Sequence, residues 1–210
     1  MGNAVLFSIG KALRAAGNRV IYFAGYKYKQ DLFKVEDIEA ASDIIIWSVD
    51  KGPDVVAIQP TRPQDKTFVG NILECMLAYA NGELGDQPIP LADVDHLIVI
   101  GSDRMMAAVK EARFNVLKPY LTKVQHAIGS INSPMQCMMK GICAQCMCKH
   151  VDADTGKEYF VYSCNNQDQD LDKVDFPHLN ARLRQNTVQE KLSNLWLDYL
   201  LMKQKSGEVA

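Results

Sequence analysis

The sequence predicts an α/β fold: a doubly wound, mostly parallel sheet over residues 1–132, a small cysteine-rich hairpin subdomain over 133–176 and a C-terminal helical tail over 177–210. Three observations carry this. Segments with helical spacing alternate with short, near-continuously apolar runs, the pattern of parallel strands covered on both faces. Five of the six cysteines crowd between positions 137 and 164. Leu192, Leu195, Trp196 and Tyr199 fall on one helical stripe near the C-terminus.

Val5, Ile9, Ala12, Leu13 and Ala16 repeat at helical spacing up to Gly17, so the first element is an amphipathic helix. Residues 19–24, Arg-Val-Ile-Tyr-Phe-Ala, read as a buried strand closed by Gly25, and 31–41 as a helix. Asp43 to Val49 is a second apolar strand. A loop containing Pro and Gly runs from Gly52 to Pro63, Val69 to Tyr79 has helical spacing, and a turn-rich stretch from Gly82 to Pro90 leads to a third strand at 96–101. A helix over about 103–118 and a strand from His126 to Ile131 complete the alternation. Residues 147–163 read as a hairpin whose turn is Asp152-Ala-Asp-Thr-Gly156, followed by a polar, acidic stretch to Asp175 and an apolar-striped helix from Val188 to Met202. That stripe predicts burial against the domain or a second chain. The chain has no internal repeat.

The beginning departs from the expected pattern. A glycine turn that holds a pyrophosphate follows a strand that aims the next helix at the phosphates, yet here the sequence starts at Gly2-Asn3. The expectation is that the first strand lies on a longer polypeptide or is contributed by another segment.

Composition excludes several classes. With 48% hydrophobic and 23% charged residues and a formal charge of -2, nothing draws the chain to nucleic acid or an anionic membrane. Its apolar runs are far shorter than the roughly 20 residues of a membrane span, and no export signal precedes them. A cytoplasmic, reducing location follows, and with it a metal centre rather than disulfides.

The cysteines are spaced Cys137-x5-Cys143-x2-Cys146-x-Cys148-x15-Cys164. A Cys-x2-Cys loop presents two thiolates to one centre, and Cys137 and Cys164 can close the set. Cys148, two positions beyond Cys146 in a strand, could compete as a ligand. On spacing alone an iron-sulfur cluster and a four-thiolate zinc fit equally. Cys75, among Leu73 and Met76, reads as an inert core residue.

For a nucleotide, Gly2 allows close backbone approach and the helix starting near Asn3 offers a partial positive charge; a plain helix start is the blander reading. Gly25 closes a strand where an adenosine ribose would lie, with Tyr26, Lys27 and Lys29 near enough to meet a 2'-phosphate or simply solvated, which leans toward NADP over NAD. Ser48 and Asp50, and Gly101 with Ser102, stand at two further carboxyl ends of strands, where α/β sheets bind ligands. Met105 and Met106 read as core. No histidine or carboxylate pair marks an acid/base or nucleophilic centre, as expected if cofactors carry the chemistry.

The segment Gly129-Ser-Ile-Asn-Ser-Pro-Met-Gln-Cys137 with Lys140-Gly-Ile-Cys143-Ala-Gln-Cys146 resembles the [2Fe-2S] loop of the ferredoxin reductase-like electron-transfer subunits, which include the dihydroorotate dehydrogenase electron-transfer subunit, the sulfhydrogenase gamma subunit and the small subunit of NADH-dependent ferredoxin:NADP oxidoreductase (sulfide dehydrogenase). The last is the nearest match, since Val174-Asp-Phe176, Leu179 and Arg182 stand where its members carry the same pattern. The resemblance extends through Gly2-Asn3-Ala4, Gly25 with Asp31-Leu-Phe33, and Ile100-Gly-Ser-Asp-Arg-Met-Met106. It departs in the five residues between Cys137 and Cys143, where the family has four, in Ser102 for proline, in Ile100 for cysteine, and in Asn165-Asn-Gln167 for Asp-Gly-Pro. The family's N-terminal FAD-binding barrel is not among these 210 residues.

The resemblance implies a [2Fe-2S] cluster on Cys137, Cys143, Cys146 and Cys164, a bound NAD(P)H, and FAD only with the missing domain. It implies hydride exchange between nicotinamide and flavin, and single electrons passing through the cluster to a glutamate-synthase-small-subunit-like or other flavoprotein, with ferredoxin as a further partner. The rival is a non-catalytic Rossmann-like binding protein with a structural four-cysteine zinc site.

Overall fold

In the computed structural model, residues 3–53, 55–131, 146–185 and 187–206 are described. In chain order the elements are α1 (Asn3–Ala15), β1 (Ile21–Tyr26), α2 (Val35–Ala41), β2 (Ile44–Val49), β3 (Lys66–Val69), α3 (Ile72–Ala80), β4 (His96–Ile100), α4 (Asp103–Phe114), β5 (His126–Ser130), β6 (Met147–Val151), β7 (Glu158–Tyr162), β8 (Asp168–Asp170), α5 (Phe176–Gln185) and α6 (Thr187–Ser206). They form two compact units, one reaching from α1 to Ile131 and taking in Asp168–Asp172, the other holding the rest.

The first unit is α/β and contains two three-stranded sheets. In one, β1, β2 and β3 are neighbours in that order and all parallel. In the other, β4 and β5 are parallel and β8 adds antiparallel to β5. Alternate residues of β1 and β2 enter two different cores, as the two-residue period of a strand requires. Tyr22, Ala24 and Tyr26 with Ile45, Trp47 and Val49 pack with Phe7 of α1 and Ile38 of α2. Ile21 and Phe23 with Ile44 and Ile46 pack instead with Cys75, Met76 and Tyr79 of α3, Ala112 of α4 and Leu97 of β4. All six residues of β2 are buried, which is why its sequence is apolar at every position but Ser48 rather than alternating.

Local chemistry sets the helix ends. Gly17 follows α1 at a φ of +83°, a conformation that glycine adopts without strain. At the start of α3 the Asn71 side chain accepts from the amides of Leu73 and Glu74, and Glu74 accepts from the Asn71 amide, a reciprocal cap. The α1 and α2 helices approach so closely that a Cβ at Gly10 would stand 2.5 Å from the Ala41 carbonyl oxygen. Lys11 pairs with Asp37 at 2.9 Å across the same contact.

Several boundaries differ from the sequence reading. Gly25 does not close its strand; it lies inside β1 opposite Ser48, and pairing continues to Tyr26. A Cβ there would meet Ile72 at 3.3 Å, so the glycine serves close packing of α3 on the sheet. Residues 31–41 divide into a 3-10 turn at Lys29–Asp31 and the shorter α2, which begins after Lys34 in a left-handed conformation. The 103–118 helix stops at Phe114. The short strands β3 and β8 had no sequence signal, because three or four residues give periodicity too little to work on.

Two buried ion pairs tie loops to strand ends. Asp65, its side chain wholly buried, accepts from the Ile45 amide at 2.9 Å and from Arg62 at 2.7 and 2.9 Å. Arg62 also donates to the carbonyls of Glu39 and Ser42. Arg113, 6% exposed, bonds the Asp172 carboxylate and the carbonyls of Val124 and Gln125, fixing the chain just past β8 to the end of α4.

In the second unit β6 and β7 pair antiparallel as a hairpin, and the acidic turn is held by Asp152, which accepts from the amide and hydroxyl of Thr155. In the single chain the stripe of α6 is uncovered: Trp196 is 61% exposed, and Val188, Leu192, Leu195, Tyr199 and Leu200 are exposed with it, as are Leu197 and Leu201 on the flank.

Removing the Asp65 carboxylate leaves the half-buried Arg62 guanidinium and the Ile45 amide without their acceptor, a loss of about 3 kcal/mol in comparable sites. Asp65→Ala should therefore lower the urea midpoint by that equivalent, whereas Asp93→Ala, which breaks the exposed pair with Lys123, should leave the midpoint essentially unchanged.

Candidate functional site

The cysteine site is built by the hairpin. Its register sets Met147 opposite Tyr162, so Cys146 and Cys164 meet at the open end, one residue before β6 and two after β7. The Ser163 amide donates to the Cys146 carbonyl at 3.1 Å, and the Cys164 amide donates to the Cys146 Sγ at 3.4 Å. Cys146 is buried and Cys164 half-buried. The backbone of Cys164 is thus held against the side chain of Cys146. Cys137 and Cys143 lie outside the described residues. Among the described residues no group of three or more His, Cys, Asp or Glu side chains is placed to hold a metal ion.

Cys148 has different surroundings. It sits within β6 opposite Val161, fully buried, with only a weak bond to the Lys149 carbonyl at 3.9 Å. Burial, and secondarily the charge of Asp175, push its thiol up to about 11, against an opposing pull from Arg182. Cys75 is likewise buried, and desolvation raises its thiol to about 12 although the Ser48 hydroxyl is its hydrogen-bond partner.

A support for the hairpin escaped the sequence reading. The Val151 amide donates to the Lys173 carbonyl and the Asp175 amide to the Lys149 carbonyl, laying residues 173–175 along β6. Lys149 reaches Glu158 at 2.6 Å and Asp175 at 3.5 Å. Asp175 also accepts from the His178 amide at 2.9 Å, capping α5. Val174, Phe176 and Leu179 are buried. The Val-Asp-Phe pattern thus anchors α5 to the strand that follows Cys146. Its one legible signal was a lysine in a strand with an aspartate directly before a helix.

The nucleotide candidates occupy the carboxyl ends of parallel strands, apart from Gly2, which lies outside the described residues. Asn3 begins α1. Tyr26 is buried, its ring 6.2 Å from that of Trp47 and inclined to it by 26°, while Lys27 is exposed with its ammonium 5.1 Å from the Tyr28 ring. The Asp50 amide donates to the Tyr26 carbonyl at 3.0 Å, joining the ends of β1 and β2, and its residue is exposed. Ser48 is buried within β2 beside Cys75, so its hydroxyl is engaged inside the sheet. Ser102 caps α4, its Oγ accepting from the Met105 amide at 3.2 Å, and Gly101 is exposed just ahead of it. The Met105 Cε methyl lies so near Gly101 that a Cβ there would stand 2.2 Å away. Met106 is core, as its sequence context indicated.

No family model matches the chain. A segment of 65 residues, 31% of the chain, is 49% identical to a Rickettsia prowazekii (strain Madrid E) protein described as uncharacterized protein RP006. The match spans 9% of that protein's length, so proteins that share the segment extend far beyond it.

The contrast among thiols can be read chemically, because the thiolate is the reacting form. In the native protein prepared without metal, iodoacetamide at pH 8 should label Cys164 while Cys75 and Cys148 stay unmodified until denaturant is added. Mass mapping of the labelled peptides checks this, and labelling of Cys148 at the rate of Cys164 would contradict the burial described.

Proposed function

We propose that the chain is the pyridine-nucleotide-binding and [2Fe-2S] module of an NAD(P)H-dependent oxidoreductase electron-transfer subunit, working in the cytoplasm with FAD on a further domain and a partner flavoprotein. The observation that carries the reading is the Cys164 amide directed at the Cys146 sulfur, within a cysteine series whose flanking residues resemble the family's cluster loop. We also read the two sheets of the first unit, with helices packed on opposite faces of β1 and β2, as parts of one doubly wound Rossmann-like domain.

The roles follow from the chemistry each group can supply. Cys137, Cys143, Cys146 and Cys164 would hold the cluster, which supplies one-electron transfer when bound. Cys146 takes an amide hydrogen bond at its sulfur, and the Lys149–Asp175 pair keeps the hairpin against α5. The exposed Gly101 and Asp50 at the strand ends leave backbone accessible to a nucleotide, and Lys27 offers a cation to a 2'-phosphate. Hydride transfer needs the nicotinamide within about 3–3.5 Å of its acceptor, a position that the flavin domain would provide.

Anaerobically purified protein should be coloured and hold about two irons and two sulfides per chain. Cys164→Ser should abolish the cluster and Cys148→Ser should leave it. A colourless protein with one tightly held zinc would establish the rival structural site instead. NADH or NADPH should not bleach the cluster of the 210-residue chain at a useful rate, whereas the chain joined to its flavin domain should show nucleotide-dependent reduction.

A further inference from the structure

Every residue of α6 from Val188 to Met202 is exposed, its large apolar side chains among them. A helix in a protein owes most of its stability to packing an amphipathic face, and among the described residues nothing packs on this one. Covering the stripe therefore falls to something outside the single chain, and spacing and charge say what. Val188, Leu192, Leu195, Tyr199 and Met202 follow one another at intervals of four, three, four and three residues, the a/d seam of a coiled coil. In that frame the g positions are Lys191, Asp198 and Lys205, and the e positions are Gln189, Trp196 and Lys203. A charged residue at every g position confines the seam to the narrow a/d strip that two strands bury, whereas larger bundles draw e and g into the core.

The e residues already lean over the seam. The Trp196 ring is 5.5 Å from that of Tyr199, and the Lys203 ammonium lies 5.3 Å from the same Tyr199 ring. Leu200 borders Trp196, while Leu197 and Leu201 fall on the outer side, too small a patch to demand a partner of its own. The charges fix the partner and its direction. In a parallel pair each g residue meets the e residue five positions on in the other helix. Two copies of α6 then set Asp198 against Lys203 and Lys191 against the Trp196 ring, an ion pair and a cation–π contact, each made twice. Residues five apart cannot meet within one helix, so these pairs exist only between helices. In an antiparallel pair of the same overlap g meets g, and Asp198 would face Asp198 while Lys191 faced Lys205, every contact repulsive. An anionic bilayer surface would call for a wholly basic polar face, and Asp198 stands in the middle of this one.

We infer that α6 is a dimerisation helix: two copies of this chain join through it as a parallel, in-register, two-stranded coiled coil, with Asp198 of each copy against Lys203 of the other setting the direction. The inference does not depend on the proposed electron-transfer function. Parallel pairing brings the two copies of α5, which ends where α6 begins, to the same end of the coil.

Sedimentation equilibrium of the 210-residue protein tests it. A concentration series reaching about 100 μM should fit a monomer–dimer equilibrium, and Leu195→Asp, which places a charge in the seam, should give monomer throughout. Asp198→Lys sets a lysine against Lys203 in two places and should weaken the dimer about tenfold. Lys203→Asp should weaken it likewise. The double variant, which restores both ion pairs with the charges exchanged, should return the dissociation constant to that of the unaltered chain, a recovery that antiparallel pairing cannot give. Monomer at every concentration, a trimer or larger species, a dimer indifferent to Leu195→Asp or to the single charge changes, or a double variant no tighter than the single ones would each overturn the inference.

Discussion

A single buried carboxylate sets the position of the strand on which the first unit is built. Asp65 is taken out of water to hold the amide of Ile45 and the fork of Arg62, and Arg62 in turn holds the carbonyls at the end of α2. A lone buried charge is costly; this one is tolerated because every partner is a donor in good geometry. The pair gathers the end of α2, the first turn of β2 and the loop before β3 at one point. Once β2 is fixed, β1 and β3 can pair on either side in register, and the two helix layers have a surface to cover. Asp65 thus does by hydrogen bonding what the apolar residues of β2 cannot, since dispersion and burial carry no directional information.

Much of this was legible beforehand. The apolar runs gave β2, β4 and β5 almost to the residue, because strands packed against helices concentrate apolar side chains over a few consecutive positions. The hairpin and its Asp152–Gly156 turn were legible for the same kind of reason, an alternation flanking a glycine at a φ of +67°. What stayed hidden were interactions between residues distant in sequence. The Arg113–Asp172 pair, the addition of β8 to β5, and the seating of residues 173–175 on β6 have no local signature. Gly25 shows the same limit in one residue: its composition suggested a turn, but packing of Ile72 against the sheet decides its role. The exposed α6 is the opposite case, in which periodicity identified the helix correctly and could not say what surrounds it.

The candidate site was legible in its chemistry and not in its differences. Spacing grouped Cys146, Cys148 and Cys164 without separating them. The hairpin register separates them: it brings Cys146 and Cys164 to the open end, where the Cys164 amide donates to the Cys146 sulfur, and leaves Cys148 inside β6, where burial raises its thiol to about 11.

The inclusion of Asp168–Asp172 in the first unit bears on how the chain is made. β8 completes the sheet begun by β4 and β5, yet it is translated after the whole cysteine segment. At about 5–20 residues per second of synthesis, the ribosome delivers residues 132–167 while β5 still has an open side, and the first unit can close only when β8 returns. The cysteine segment is consequently a loop anchored at both ends by the first unit, and its closure entropy is met by pairing along β5 and by the Arg113–Asp172 clasp. Completion of this sheet therefore waits for synthesis of the whole cysteine segment.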